Sequence, residues 1–554
     1  MLRSPRISGA ALRSLANVAA SPVGATLFHQ VFRRDLGIGR LEALPQSLRA
    51  VIPQDASAWQ ARPPRTWGDE SLPVPTTKAW SGTTETYTTA YRSGAANPVD
   101  VVTKALEMAR GLARRSPSVG PLMEYADGVA LDEAEASRAR YAAKKAKGPF
   151  DGVPYVVKEQ TGVVGFKRQA GTTFLDASRM TEDATLVARL RAEGAICLGI
   201  SPMTEYGMSP VGFNPQRTMP RNPHATSHPA GGSSTGSGVA VATGLAPFAI
   251  GADGGGSIRI PAAANGVFGI KPTWGRVTRA GDVSIGTVEH LGPLASSTLD
   301  LARVLEVIGP TDPKDKTTRD APPIPRGSLE KALARGVRGA RIGVPESEWA
   351  DADDEVQKAC WTALRALEKD GAVLVPVKSD LTPLAAVVGY LDLGVGASSL
   401  LYPVFSEKRH VLGPDLQVTI AAIAGTSAVD YLDGLRLRAG LRKEMQRILG
   451  DVDLYAIPTL AKTPPKVTDA EFASGFVDPF VLAGYVRYTF LANLTGLPAG
   501  TAPVGRDRGG LPIGFQLVGD AWDDASVLAG MAHLERVGIA KVEEPSVSVH
   551  VLPG

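Results

Sequence analysis

Apolar residues recur along this chain with two periods, and the periods alternate. Leu186, Val187 and Leu190 fall on one helical face, Gly194 follows, and Ala195–Ile200 is an unbroken apolar run. The order returns downstream with Val356, Ala359, Cys360, Ala363 and Leu367 at helical spacing, then Gly371, then Ala372–Val377. Such a unit predicts a helix, a glycine that stops it and a strand buried on both faces. Its repetition predicts a mostly parallel sheet covered by helices. Asn97 as cap and Pro98 in the first turn start a helix with Val101, Ala105, Met108 and Leu112 at helical spacing. A charged helix is expected from Leu131 to Lys147, stopped by Gly148, and Gly152–Val157 is a further apolar strand that ends on Lys158.

The first 34 residues carry five arginines and no acid, as a transit peptide does, but Arg13 breaks the apolar stretch a secretory signal needs. Ala25–Gly37 places Leu27, Val31 and Leu36 near one helical face, with Phe28 and Phe32 beside it. Three fates fit this segment: a helix docked on the body, a helix lying on a membrane surface, or a cleaved leader. Residues 46–85, rich in Pro, Trp, Thr and Ser, read as an extended connector, and the proline-rich stretch 309–340 reads as a surface excursion. Leu381–Phe405 has Asp392 as its only charge. Prolines and glycines interrupt it, so a buried or pocket-lining segment is expected rather than a membrane span.

Composition narrows the class. Among 554 residues, 60 Gly and 42 Pro suit a turn-rich α/β chain better than a coiled coil or solenoid. The 59 basic and 56 acidic residues nearly cancel, unlike the clustered excess of a nucleic-acid binder. Two cysteines, Cys197 and Cys360, make no disulfide framework and no CxxC pair for zinc or redox chemistry, so a cytoplasmic location is expected.

The chemistry concentrates between Gly231 and Pro272, where Ser233 and Ser257 each follow a glycine pair, 24 residues apart. A phosphate loop would need Lys where Ser237 stands, and neither glycine run matches a dinucleotide fingerprint. Gly232–Gly236 matches the nucleophile-elbow pattern GxSxG, but the residues before it are polar where that motif needs a strand. A turn through Gly254, Gly255 and Gly256 could converge N–H groups on the oxyanion formed when the next residue, Ser257, attacks a carbonyl. A hydroxyl needs a base. His224 and His228 have no evident carboxylate partner at local spacing, whereas a lysine at the end of a buried strand, Lys158, would be desolvated and partly neutral.

These residues, from Gly231 through Pro272 to Gly275, with Gly152–Glu159 upstream and Asn493–Ala499 and Gly510–Leu517 downstream, resemble the amidase signature family across roughly residues 85 to 540. The resemblance implies an α/β fold, a large twisted mixed sheet sandwiched between helices, over 76–545, preceded by a helical extension and connector over 1–75. It implies Ser257 as nucleophile, Ser233 as a bridging serine on a cis peptide to Gly232, and Lys158 as base. The amides of Gly254, Gly255, Gly256 and Ser257 would hold the oxyanion. Asp253 and Arg259 would brace the network and Ser234 would bond within it, and neither metal nor organic cofactor is implied. Arg221–His224, Gly254–Gly256, Gly292–Ser297 and the N-terminal helices look most like the plant-type fatty acid amide hydrolases. That subgroup implies N-acylethanolamines or other hydrophobic amides as substrate, for which Leu381–Phe405 is either the lining of an acyl channel or plain core; a homodimer, peripheral membrane contact and no nucleic-acid partner are expected. The alternatives are the glutaminase component of a tRNA-dependent amidotransferase, an amidase for short-chain or aryl amides, and a non-catalytic lipid-binding scaffold. Glu159, Pro202 and Asn265 depart from the Asp, Asn and Cys common in the family at those positions.

Overall fold

The computed structural model describes residues 6–35, 37–43, 67–68, 72–75, 79–175, 178–284 and 286–553. Its centre is an 11-stranded sheet. In chain order the strands are β1 (Glu124–Tyr125), β2 (Pro154–Lys158), β3 (Ile196–Ser201), β4 (Phe248–Asp253), β5 (Phe268–Lys271), β6 (His290–Ala295), β7 (Arg341–Val344), β8 (Val373–Pro376), β9 (Leu454–Pro458), β10 (Ala499–Arg506) and β11 (Pro512–Val518). Across the sheet they run β1-β3-β2-β4-β6-β5-β10-β11-β9-β7-β8. Six helices matter below: α1 (Gly9–Ala19), α2 (Pro22–Asp35), α3 (Thr235–Ala242), α4 (Arg259–Asn265), α5 (Ala385–Lys408) and α6 (Pro414–Ala424).

The sheet is mixed, as the family resemblance implies, and not mostly parallel as the periodicity suggests. Only β3–β2–β4 and β9–β7–β8 pair parallel. The middle of the sheet is antiparallel. A strand buried on both faces reads as the same apolar run whichever way its neighbours point, so the pattern carries burial but not direction. The two helix–glycine–strand units are present, with helices Thr185–Ala192 and Asp354–Lys369 and with Gly194 and Gly371 in the left-handed region (φ 90° and 99°). Asn97 caps its helix through Val99 N and Asp100 N.

Four expectations shift. The charged helix spans Asp127–Ala142, starting and stopping earlier than predicted; Lys144, with φ 55°, cannot continue it. The connector ends where Thr83 caps the helix Thr84–Ser93, and its residues 46–66 lie outside those described. In the 309–340 stretch, Leu333, Val337 and Ala340 are buried, so its second half belongs to the core. Leu381–Phe405 is not interrupted: after a short turn it is α5, a 24-residue helix. Its glycines are close-approach points. A Cβ at Gly389 would run into the Phe490 ring, and one at Gly394 would lie 2.5 Å from Ile423 Cδ1. Thr382–Leu401 is long and apolar enough to cross a membrane, but 56% of it is buried within the protein.

The N-terminal helices dock. Leu12 and Ala16 of α1 cluster with Val418 of α6, and Phe28 of α2 packs against them. His29 Nδ1 lies 3.0 Å from the Ala422 carbonyl, and Arg33 pairs with Asp430 at 2.6 Å. Leu27 and Val31 face outward, with Val18 and Val23 also exposed, and Leu36 lies outside the described residues.

Candidate active site

Strand β2 and the segment before α3 bring Lys158 and Ser233 together, and the turn after β4 carries Ser257 beside that segment. β2 lies between β3 and β4, every residue of it is buried, and it ends on Lys158, 1% exposed. Lys158 Nζ donates to Ser233 Oγ at 2.8 Å and to the Ala252 carbonyl at 3.3 Å. Ser233 stands two residues before α3, and the Gly232–Ser233 peptide is cis. Ser234 N donates to the Ser257 carbonyl at 3.2 Å, which ties the two serine segments together one residue from Ser233. Ser234 Oγ also donates to the Ala252 carbonyl at 3.1 Å. Ser257 closes the turn between β4 and α4, and its side chain is at the wall of a cavity.

Asp253 and Arg259 hold that turn. Asp253 Oδ1 accepts from Gly256 N at 2.6 Å, and Oδ2 accepts from Ile258 N at 3.1 Å. Arg259 meets the same carboxylate through Nε at 3.0 Å and Nη2 at 2.9 Å, with both residues fully buried. Arg259 also donates to Gln516 Oε1 (2.6 Å), Asn493 Oδ1 (2.5 Å) and the Thr489 carbonyl (2.9 Å). Asn493 and Gln516 belong to the two downstream motifs, to which sequence reasoning assigned no role. Their identity as polar residues in otherwise apolar stretches was the available signal. The bond to Asp253 engages the Gly256 N–H, so among the four expected oxyanion donors Gly256 is already committed. Gly254, Gly255 and Ser257 remain candidates.

The electrostatics fit an acid–base relay. Burial pulls Lys158 down from 10.5 to about 8, opposed by the negative charges of Glu289, Asp282, Asp253 and Glu159. Burial alone would raise the Asp253 carboxyl, but the Arg259 charge and the hydrogen bonds from Arg259 and Asn493 hold it well below the usual carboxylate range. Glu159, the departure beside Lys158, is pushed up to about 7 by burial despite the Arg217 guanidinium at 2.5 Å. Gln160 links Glu289 (2.7 Å) and Asp282 (3.0 Å) behind the lysine, a cluster that sequence reasoning missed because both acids lie more than 120 residues beyond Gln160. His224 is engaged by the Asn265 carbonyl at 2.9 Å, and burial lowers it to about 4. Asn265, another of the departures, cross-braces α4 to Ala230 at 2.7 Å.

Ser257 and Gly255 line a cavity whose walls are mostly apolar. Tyr390 and Leu393 of α5, Leu416 and Ile423 of α6, Phe476 and Phe490 supply them. A family model described as Amidase matches residues 107–528. This chain belongs to the amidase family. Among its relatives is a fatty acid amide hydrolase of Oryza sativa subsp. indica, 31% identical over 468 residues that cover 82% of this chain and 76% of that one. A glutamyl-tRNA(Gln) amidotransferase chain from Roseiflexus castenholzii is 35% identical over 458 residues, 76% of this chain and 90% of that one. The peptide amidase of Stenotrophomonas maltophilia superimposes with a TM-score of 0.71 at 25% identity, covering 84% of this chain and 98% of that one. As an amidase, the protein is a hydrolase that acts on amides.

Proposed function

We propose that this amidase cleaves hydrophobic acyl amides, N-acylethanolamines and other fatty acid amides among them, through an acyl-enzyme on Ser257. The observation that carries the reading is the mostly apolar cavity that residues of α5 and α6 and Phe490 line together with Ser257. In the proposed sequence neutral Lys158 takes a proton from Ser233, which takes one from Ser257. The Ser257 oxygen bonds to the amide carbon, and the carbonyl electron pair moves to oxygen, held by the amides of Gly254, Gly255 and Ser257. The C–N bond then breaks, and Ser233 protonates the departing nitrogen while Lys158 reprotonates Ser233. Water repeats the cycle: Ser233 takes its proton, its oxygen bonds to the acyl carbon, and the ester pair returns to Ser257. Asp253 and Arg259 hold the turn, and Ser234 holds the Ser233 segment.

The test is a panel of dodecanoyl ethanolamide, acetamide, an aryl anilide and glutamine, read by amine or ammonia release. Long acyl amides are expected to give the highest kcat/KM. Preference for acetamide or the anilide would overturn the acyl reading. The amidotransferase relative supports a second reading, glutaminase; preferential glutamine-dependent ammonia release would select it. Peripheral membrane contact is part of the proposal, supported by the exposed Val18, Val23, Leu27 and Val31. Liposome flotation of full-length and truncated protein reads it.

A further inference from the structure

The successive glycines after β4 leave that turn free to take many shapes, yet an oxyanion site needs its N–H groups aimed before the reaction. Three of its peptides are held by hydrogen bonds. The Asp253 carbonyl accepts from Asn493 Nδ2 at 2.8 Å. The Gly255 carbonyl accepts from Thr489 Oγ1 at 2.5 Å, and the N–H of the same peptide, on Gly256, is the one that meets Asp253 Oδ1 at 2.6 Å. The Gly256 carbonyl accepts from Ile260 N at 2.6 Å. In a trans peptide C=O and N–H point opposite ways. The Asn493 bond therefore directs the Gly254 N–H away from Asn493, and the Ile260 bond directs the Ser257 N–H away from Ile260. The Gly255 N–H belongs to the peptide between two held ones, and Thr489 holds the second of those two.

The Thr489 hydroxyl is not spent on its own helix. Thr489 precedes the helix Phe490–Thr495, a place where threonine commonly caps, but its side chain makes no cap hydrogen bond. The hydroxyl has one hydrogen to give, and the Val486 carbonyl lies farther from it, at 3.5 Å. The approach to the turn is close: a Cβ on Gly256, whose φ is 127°, would lie 2.6 Å from Thr489 Oγ1. Thr489 is fully buried, while the next residue, Phe490, lines the cavity with its ring against Gly255. From this geometry we infer that Thr489 is a positioning residue for the oxyanion site: its hydroxyl, acting through the Gly255 carbonyl, sets the direction of the amides that meet the developing charge. The inference rests on Ser257 as nucleophile and the glycine turn as oxyanion site, and goes beyond that reading by adding a residue that acts only through the backbone. A misaimed amide costs the transition state more than the bound substrate, because the carbonyl oxygen gains its charge only as Ser257 bonds to carbon.

The test separates the hydroxyl from the shape that carries it. Thr489→Val removes the hydroxyl and keeps the shape; Thr489→Ser keeps the hydroxyl and removes a methyl. The substrates are dodecanoyl ethanolamide and acetamide, and the probes are undecyl and methyl trifluoromethyl ketone. Each ketone bonds through its carbonyl carbon to the Ser257 oxygen and moves the carbonyl pair to its own oxygen, so its Ki reports the oxyanion site. In Thr489→Val kcat should fall about 10- to 100-fold with KM nearly unchanged, and Ki for the matching ketone should rise by a similar factor. Thr489→Ser should recover most of both. If Thr489→Val does not fold, Thr489→Ala against Thr489→Ser reads the same difference. Wild-type turnover in Thr489→Val overturns the inference. So does a loss that falls in KM, a loss that leaves ketone affinity untouched, or a Thr489→Ser variant as slow as Thr489→Val. Ser257→Ala distinguishes the levels: wild-type turnover there fells mechanism and inference together, whereas an inactive Ser257→Ala beside an unaffected Thr489→Val sinks the inference alone. A wild-type preference for acetamide would fell the acyl reading only, and the same Thr489→Val loss is expected in the acetamide series.

Discussion

Removing the acid Glu289 should make the enzyme faster at neutral pH. Glu289 heads the charges that hold up the Lys158 ammonium, and its Oε1 accepts from Gln160 Nε2 at 2.7 Å. Glu289→Gln deletes the charge and keeps an oxygen for that bond. With Lys158 near 8, about a tenth of it is the neutral base at pH 7 and about nine tenths at pH 9. The wild-type kcat/KM should therefore rise about tenfold between those values. Loss of one nearby negative charge lowers a buried lysine by about one unit or more. The neutral fraction at pH 7 then climbs to about half, a gain of about fivefold that vanishes by pH 9. The assay is initial-rate amine release from a soluble amide at constant ionic strength from pH 6 to 9.5. A wild-type profile that is flat from pH 6 to 9 would remove Lys158 as the titrating base. A variant slower at every pH, or one whose limb moves upward, would refute the electrostatic account of Glu289.

Ser257→Ala should lower amide turnover by about four orders of magnitude or more and abolish the acyl adduct seen by intact mass; cleavage at the wild-type rate would dismiss the nucleophile. Asp253→Asn leaves the buried Arg259 without its counter-charge and should cost about 3–5 kcal/mol in urea unfolding, and a loss below about 1 kcal/mol would mean the pair is not what holds the turn. Gly389→Ala pushes a methyl into the Phe490 ring. It should cost about 1–3 kcal/mol and raise KM for long acyl amides more than for acetamides; equal changes would separate α5 from the acyl wall.

The residues of the candidate site stood out in the sequence because they are rare where they occur. Lys158 at the end of an apolar strand, and serines behind paired glycines, break the local pattern and so announce chemistry. Asn493 and Gln516 sat in motifs whose shape was visible but whose purpose was not, since the Arg259 they brace lies more than 230 residues away.

The chain alone determined the two helix–glycine–strand units at Gly194 and Gly371, the buried strand that ends on Lys158 and the serines behind paired glycines, because burial and dihedral preference act over a handful of neighbours. Three things waited for the tertiary structure: the direction of the central strands, the conversion of an interrupted-looking stretch into a continuous helix on the cavity, and the charges that set the lysine's proton affinity. Hydrogen bonding between strands, the fit of Phe490 against Gly389 and the field at Lys158 all arise from residues far apart in sequence, and no local periodicity encodes them.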